Sequence, residues 1–164
     1  VNEIYLIDND ALIRMSSQLP QRAFPSVWSM METLGVSGCL KICEAVFEEY
    51  KNETLKPWFE ARRDFLVQPY TAHQLECLKD IGIHCRPFVN SAKPGGDADQ
   101  PLVALAMAIN HEKSGCWASG PAVVVTFEKR SHAGNPRVKI PDACDFFGIR
   151  AIDLYDMIEE VGPI

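Results

Sequence analysis

The segment Ile4–Met15, IYLIDNDALIRM, runs an apolar stretch directly into Asp8-Asn9-Asp10 and then returns to apolar residues at Ala11, Leu12 and Ile13. Ile4 to Asp8 reads as a strand and Ala11 to Met15 as a short helix, with Asp10 a candidate for its cap. Two carboxylates this close to a core segment need a reason, and a cap explains only one of them.

Working outward, the strand–helix alternation continues. Ser26 to Leu34 reads as a helix that begins after Pro25 and stops at Gly35. A strand follows from Gly38 through Ile42, then a helix from about Glu44 to Tyr50. Leu55 to Leu66, with Trp58, Phe59 and Phe65 at helical spacing, and Thr71 to Ile81 read as amphipathic helices whose apolar stripes face a core. The stretch GGDADQPLVALAMAIN has a flexible Gly95-Gly96 turn, an acid able to cap at Asp99, Pro101 in the first turn, and an apolar helix ending near His111. Ala122 to Thr126 is a β-branched strand. IPDACDFFGIRAIDLYDMIEEV then gives a helix with Asp142 as a structural cap, a stop at Gly148, a strand over Arg150 to Asp153 and a closing helix. Strands alternating with helices predict an α/β fold with a mostly parallel central sheet.

A chain of 164 residues with 47% hydrophobic content suits a single domain, 1–164, around one core. No run approaches the ~18 apolar residues of a membrane helix. Val1-Asn2-Glu3 lack the basic start of a secretory signal, so a soluble, cytoplasmic protein with no membrane partner is expected. The six cysteines show no CxxC pair and read as reduced, mostly buried thiols. The formal charge of −6, from 22 acidic and 16 basic residues, opposes phosphate binding over the surface as a whole. A local groove needs only local cations, and Arg62-Arg63, Lys129-Arg130 and Arg137 with Lys139 are candidates.

Open α/β sheets bind ligands outside the carboxyl ends of their strands. Acids stand there repeatedly: Asp8 after the first strand, Glu44, Glu48 and Glu49 after the second, Asp97 and Asp99 after the glycine turn, and Thr126 with Glu128 after the later strand. Converging carboxylates repel unless a hard divalent cation neutralises them, which suits Mg²⁺ or Mn²⁺. The sequence has no His/Cys cluster to suggest zinc.

The order of these segments, YLIDNDALI, FPSVWSMMETL, AVFEEYKN, DADQPLVALAMA, VVVTFEKRS and KIPDACDFFGIRAIDLYDMI, resembles the PIN-domain family of metal-dependent ribonucleases, which includes the VapC-type toxins, and especially a PIN-like branch of bacteria and archaea. The resemblance covers nearly the whole chain. It implies a PIN-like three-layer fold, with the sheet flanked by helices. It also implies a carboxylate site with Asp8, Glu49 and Asp99 as ligands of one or two Mg²⁺ (or Mn²⁺) ions, Glu48 and Asp97 being the neighbouring alternatives. Thr126 and Glu128 match the family's fourth-strand Thr and acid. Glu128 departs from the commoner Asp, and a bulky Phe127 stands between the two. Lys129 or Arg130 would hold the RNA backbone.

The implied activity is endoribonuclease hydrolysis of RNA phosphodiesters by the toxin of a toxin–antitoxin module, with an antitoxin protein as partner and homodimers as a possible assembly. Two alternatives remain at this level. One is a PIN-like module that binds RNA or protein without cleaving. The other, more remote, is a phosphoryl-accepting receiver-like domain, suggested by Thr126 and Lys129 after a strand.

Overall fold

In the computed structural model, which describes residues 3–89, 98–113, 121–134 and 137–162, Ile4–Ile7 forms strand β1 at the centre of a five-stranded sheet. Tyr5, Leu6 and Ile7 are fully buried. A strand covered on both faces has no solvent side, which is why this run lacks polar alternation. β1 pairs in parallel with β2 (Leu40–Cys43) on one edge and β4 (Ala122–Val125) on the other, Tyr5 lying opposite Leu40 and Val123. β3 (Val67–Gln68) extends the sheet beyond β2, and β5 (Arg150–Ile152) beyond β4, again in parallel.

The strand order is therefore 3-2-1-4-5. The α/β class expected from the alternation is what the chain adopts, with a parallel sheet flanked by helices. Up to β3 the chain builds outward on one side of β1, and from β4 onward on the other. The crevice at the carboxyl ends of β1 and β4 is the topological switch point, where such sheets bind ligands. A receiver domain is ordered 2-1-3-4-5, so this topology is not a receiver's.

Helix α1 (Asn9–Gln18) follows β1 without a loop. Its cap is Asp8 rather than Asp10: Asp8 Oδ1 accepts the Asn9 N–H at 2.6 Å, while Asp10 pairs with Arg14 one turn on at 3.3 Å. Helix α2 (Pro25–Val36) runs through Gly35 instead of stopping there. A Cβ on Gly35 would sit 2.5 Å from Leu66 Cδ2, so the glycine serves the close approach of helix α5 (Arg63–Leu66). The actual stop is Gly38, at φ 77°, where Cys39 N–H reaches the Leu34 carbonyl at 2.8 Å and turns the chain into β2. Gly148, φ 66°, works identically: Ile149 N–H reaches the Cys144 carbonyl at 2.8 Å and leads α9 (Ile140–Phe146) into β5.

The single helix expected over 55–66 is two, α4 (Lys56–Glu60) and α5. Trp58 and Phe59 do reach the core, where Trp28 meets Trp58 edge-on at 5.0 Å and Tyr50 meets Phe59 at 5.4 Å. Between the two helices Arg62 lies over the Trp58 ring at 4.1 Å and pairs with Glu32 at 3.1 Å. The break lets Val67 and Gln68 pair with Ile42 and Cys43 as β3, a strand too short to read from sequence. Arg62 and Arg63 are thus engaged within the protein, Arg63 by Glu44 at 3.1 Å, rather than forming an open basic patch.

The remaining helices are α3 (Glu44–Glu49), α6 (Ala72–His84), α7 (Arg86–Val89), α8 (Asp99–Lys113) and α10 (Leu154–Val161). Among the described residues, α6 packs extensively against α8. Cys43, Cys77, Cys85 and Cys144 are buried free thiols and Cys39 is half-buried, as expected; Cys116 lies outside the described residues, as does the Gly95-Gly96 turn. Among the described residues, no helix is long and apolar enough to cross a membrane.

Candidate active site

Asp8 leaves the end of β1 at the switch point with only 4% of its surface exposed. Its neighbour across the crevice, Thr126, leaves the end of β4 with 3% exposed. Both are pinned by backbone bonds to the sheet, Asp8 N–H to the Val125 carbonyl and Thr126 N–H to the Ile152 carbonyl, each at 2.9 Å. Thr126 Oγ1 donates to Asp8 Oδ2 at 2.9 Å and accepts the Glu128 N–H at 3.1 Å. Glu128 is held in turn, its Oε2 accepting the Ile140 N–H at 3.0 Å where α9 begins. The bulky Phe127 lies edge-on to Tyr155, and the Arg14 guanidinium sits 4.6 Å from its ring centre. The insertion of a Phe between Thr126 and Glu128 therefore has its own packing partners.

Asp8, Asn9, Asp10, Ile13, Glu49, Asp99 and Glu128 line one cavity of about 170 Å³. Glu49 closes α3; adjacent helix positions point about 100° apart, and here Glu48 is exposed while Glu49 is turned in. Asp99 opens α8. Leu102 N–H bonds the Ala98 carbonyl at 3.0 Å, so Ala98 holds the cap position and Asp99 stands in the first turn, where the helix dipole favours a negative charge. Asp97 lies outside the described residues. Glu44, paired with Arg63 and accepting the Tyr70 N–H, belongs to a separate structural contact. Asp142 is structural, as its position after Pro141 indicated: it accepts the Lys139 N–H and both the N–H and hydroxyl of Ser131.

Among the described residues, the lining thus carries five carboxylates and no basic side chain. Burial pushes the Asp8 carboxyl up to about 6, prevailing over the bonds from Thr126 and Asn9 that favour its charged form; the charges of Glu128 and Asp10 add smaller pushes in the same direction as burial. Asn9 Oδ1 is buried with no hydrogen-bond partner among the described residues. A cavity of oxygen acceptors, one of them orphaned and one a carboxylate that burial disfavours as an ion, fits a hard divalent cation such as Mg²⁺ or Mn²⁺.

Lys129 and Arg130 do not face this cavity but an adjoining one of about 140 Å³, which Thr126 also lines and whose wall shares Glu128 with the first. Lys129 is exposed. Arg130 is forked onto Asp145 at 2.6 and 2.8 Å, so its guanidinium would have to leave that carboxylate to hold a phosphate.

The structure overturns one negative reading. His73 and Cys77 on α6 and His111 on α8 each bring a ligand atom within 4.8 Å of the others. The i, i+4 spacing of His73 and Cys77 was a visible signal that they share a helix face, but His111 joins them only through the packing of α6 on α8.

Fold and site together define a parallel α/β protein with an acidic cavity at its switch point. The chain belongs to the family described as domain of unknown function DUF4411, whose pattern matches residues 5–162. No curated protein matches it.

Proposed function

We propose that the protein is a metal-dependent endoribonuclease of the PIN-domain type, acting as the toxin of a toxin–antitoxin pair in the cytoplasm. The observation that carries the reading is the convergence of Asp8, Glu49, Asp99 and Glu128, from four separate segments, on one cavity at the switch point. The order of sequence motifs supports the PIN-type reading and, with it, an antitoxin as partner.

Asp8, Glu49 and Asp99 would hold Mg²⁺ or Mn²⁺. Such an ion, when bound, would supply the polarisation of a scissile phosphate and the activation of water that phosphodiester hydrolysis needs. Thr126 keeps Asp8 in one orientation through its 2.9 Å bond. Its second bond, from the Glu128 N–H, fixes the fourth acid against the same hydroxyl. Lys129, exposed beside the shared wall, would contact an RNA backbone entering from the adjoining cavity, and phosphate contacts of this kind set register rather than sequence.

The test is cleavage of labelled RNA by the purified protein with Mg²⁺ and with chelator. Cleavage that stops in chelator and returns with Mg²⁺ supports the proposal. Cleavage indifferent to chelator contradicts it. The absence of cleavage with Mg²⁺, on RNA pools of broad sequence content, favours the non-cleaving binding module.

A further inference from the structure

We propose that His73, Cys77 and His111 form a second metal site, selective for Zn²⁺ and independent of the carboxylate cavity. His73 and Cys77 lie one turn apart on α6, and His111 comes from the last turn of α8. One ligand atom from each lies within 4.8 Å of the other two. His73 Nε2 and His111 Nδ1 are 3.4 Å apart. Tetrahedral zinc with Zn–N bonds of about 2.0–2.1 Å sets its nitrogens roughly 3.3–3.4 Å apart, so the two imidazoles already stand at ligand spacing. A hydrogen bond between the rings would account for that pair alone and not for the convergence of the thiol on them.

The site is graded in depth. Cys77 is 1% exposed, His73 is half-buried and His111 is exposed, so an ion can enter from the surface and meet the sulfur at the floor. The negative charges of Asp80, Glu76 and Glu112 act on Cys77 and raise the local attraction for a cation. A donor set of two imidazole nitrogens and one thiolate selects zinc over Mg²⁺, whose preference is oxygen. On binding, the Cys77 thiol proton passes to solvent, the proton between the rings moves to His73 Nδ1 so that both imidazoles bind as neutral ligands, and a water completes four-coordination. Asp99 and His111 stand at opposite ends of α8, twelve residues or about 18 Å apart along the helix. The ion would therefore strap α6 to α8 without entering the carboxylate cavity.

The experiment is Co²⁺ titration of the metal-stripped full chain, followed by the near-ultraviolet thiolate-to-cobalt absorption, then displacement by Zn²⁺. The expected result is a band that saturates at one equivalent and is displaced by Zn²⁺. His111→Ala and Cys77→Ser should lose it, while Asp8→Asn and Cys39→Ser keep it. In competition with a chelating dye, His111→Ala should weaken Zn²⁺ binding by more than the ~10–100-fold typical of losing only an outer-shell partner. His111 is exposed, so that variant keeps the test decisive if Cys77→Ser does not fold. Absence of the band, its persistence in His111→Ala, or its loss in Asp8→Asn would each overturn the proposal.

Discussion

Thr126 Oγ1 donates to Asp8 Oδ2 at 2.9 Å, joining residues 118 positions apart across the crevice between β1 and β4. The same hydroxyl accepts the Glu128 N–H, so one side chain satisfies two groups that face the acidic cavity. Thr126→Val leaves both without this partner. It is expected to cost about 1–3 kcal/mol in denaturant unfolding with chelator present, with Thr126→Ser recovering most of the loss. Equal stability of the Val and Ser variants would show that the hydroxyl contributes nothing.

The Asp8 carboxyl sets a pH dependence whose direction follows from its shift. Burial holds its folded pKa at about 6, above the ordinary 3.8, so the folded protein binds this proton more tightly than the unfolded chain. That contribution to stability is complete below the unfolded value and is lost as pH rises through about 6; two units correspond to on the order of 3 kcal/mol. In chelator, Asp8→Asn should therefore gain stability relative to wild type between pH 4 and pH 7, as measured by urea unfolding at both. A difference that does not change with pH would contradict the buried, strained carboxylate.

Glu49 and Glu48 are separated by the helix they share. Glu49 lines the cavity and Glu48 is exposed. Glu49→Gln is expected to abolish most Mg²⁺-dependent RNA cleavage, and Glu48→Gln to leave it within about twofold, since adjacent positions point about 100° apart. The reverse pattern in a cleavage time course would move the site by one residue.

Asp99 stands in the first turn of α8 beside other carboxylates, so without metal its charge is a repulsion. Asp99→Asn should melt higher than wild type in chelator, yet gain less from added Mg²⁺, which stabilises by binding the native state. Thermal melts of the two proteins, with and without Mg²⁺ at fixed pH and ionic strength, decide the matter. Were Asp99 only a charge favoured by the helix dipole, the substitution would lower the melting temperature slightly and leave the Mg²⁺ response unchanged.

What could be read in the sequence was local. Asp8 follows an unbroken apolar run, and Asp99 precedes a proline and an apolar helix, so each was marked by its own neighbours. Features decided at a distance escaped. Gly35 reads as a helix stop, but its reason is Leu66, and the true stop is three residues on at Gly38. Val67–Gln68 is too short to carry a strand pattern and exists because β2 offers an edge. Arg130 reads as a free cation until Asp145 is found bonded to it. The same limit hid His111, which meets His73 and Cys77 only when α6 packs on α8.

The central claim is that the carboxylate cavity at the switch point is a site for a hard divalent cation. Calorimetric titration of Mg²⁺ into wild type and Asp8→Asn tests it most directly, because Asn caps a helix about as well as Asp while removing the charge and one acceptor oxygen. The expected result is saturable Mg²⁺ binding by wild type that is lost in Asp8→Asn while the variant remains folded. Binding of equal strength in both proteins, or none in wild type, would contradict the account.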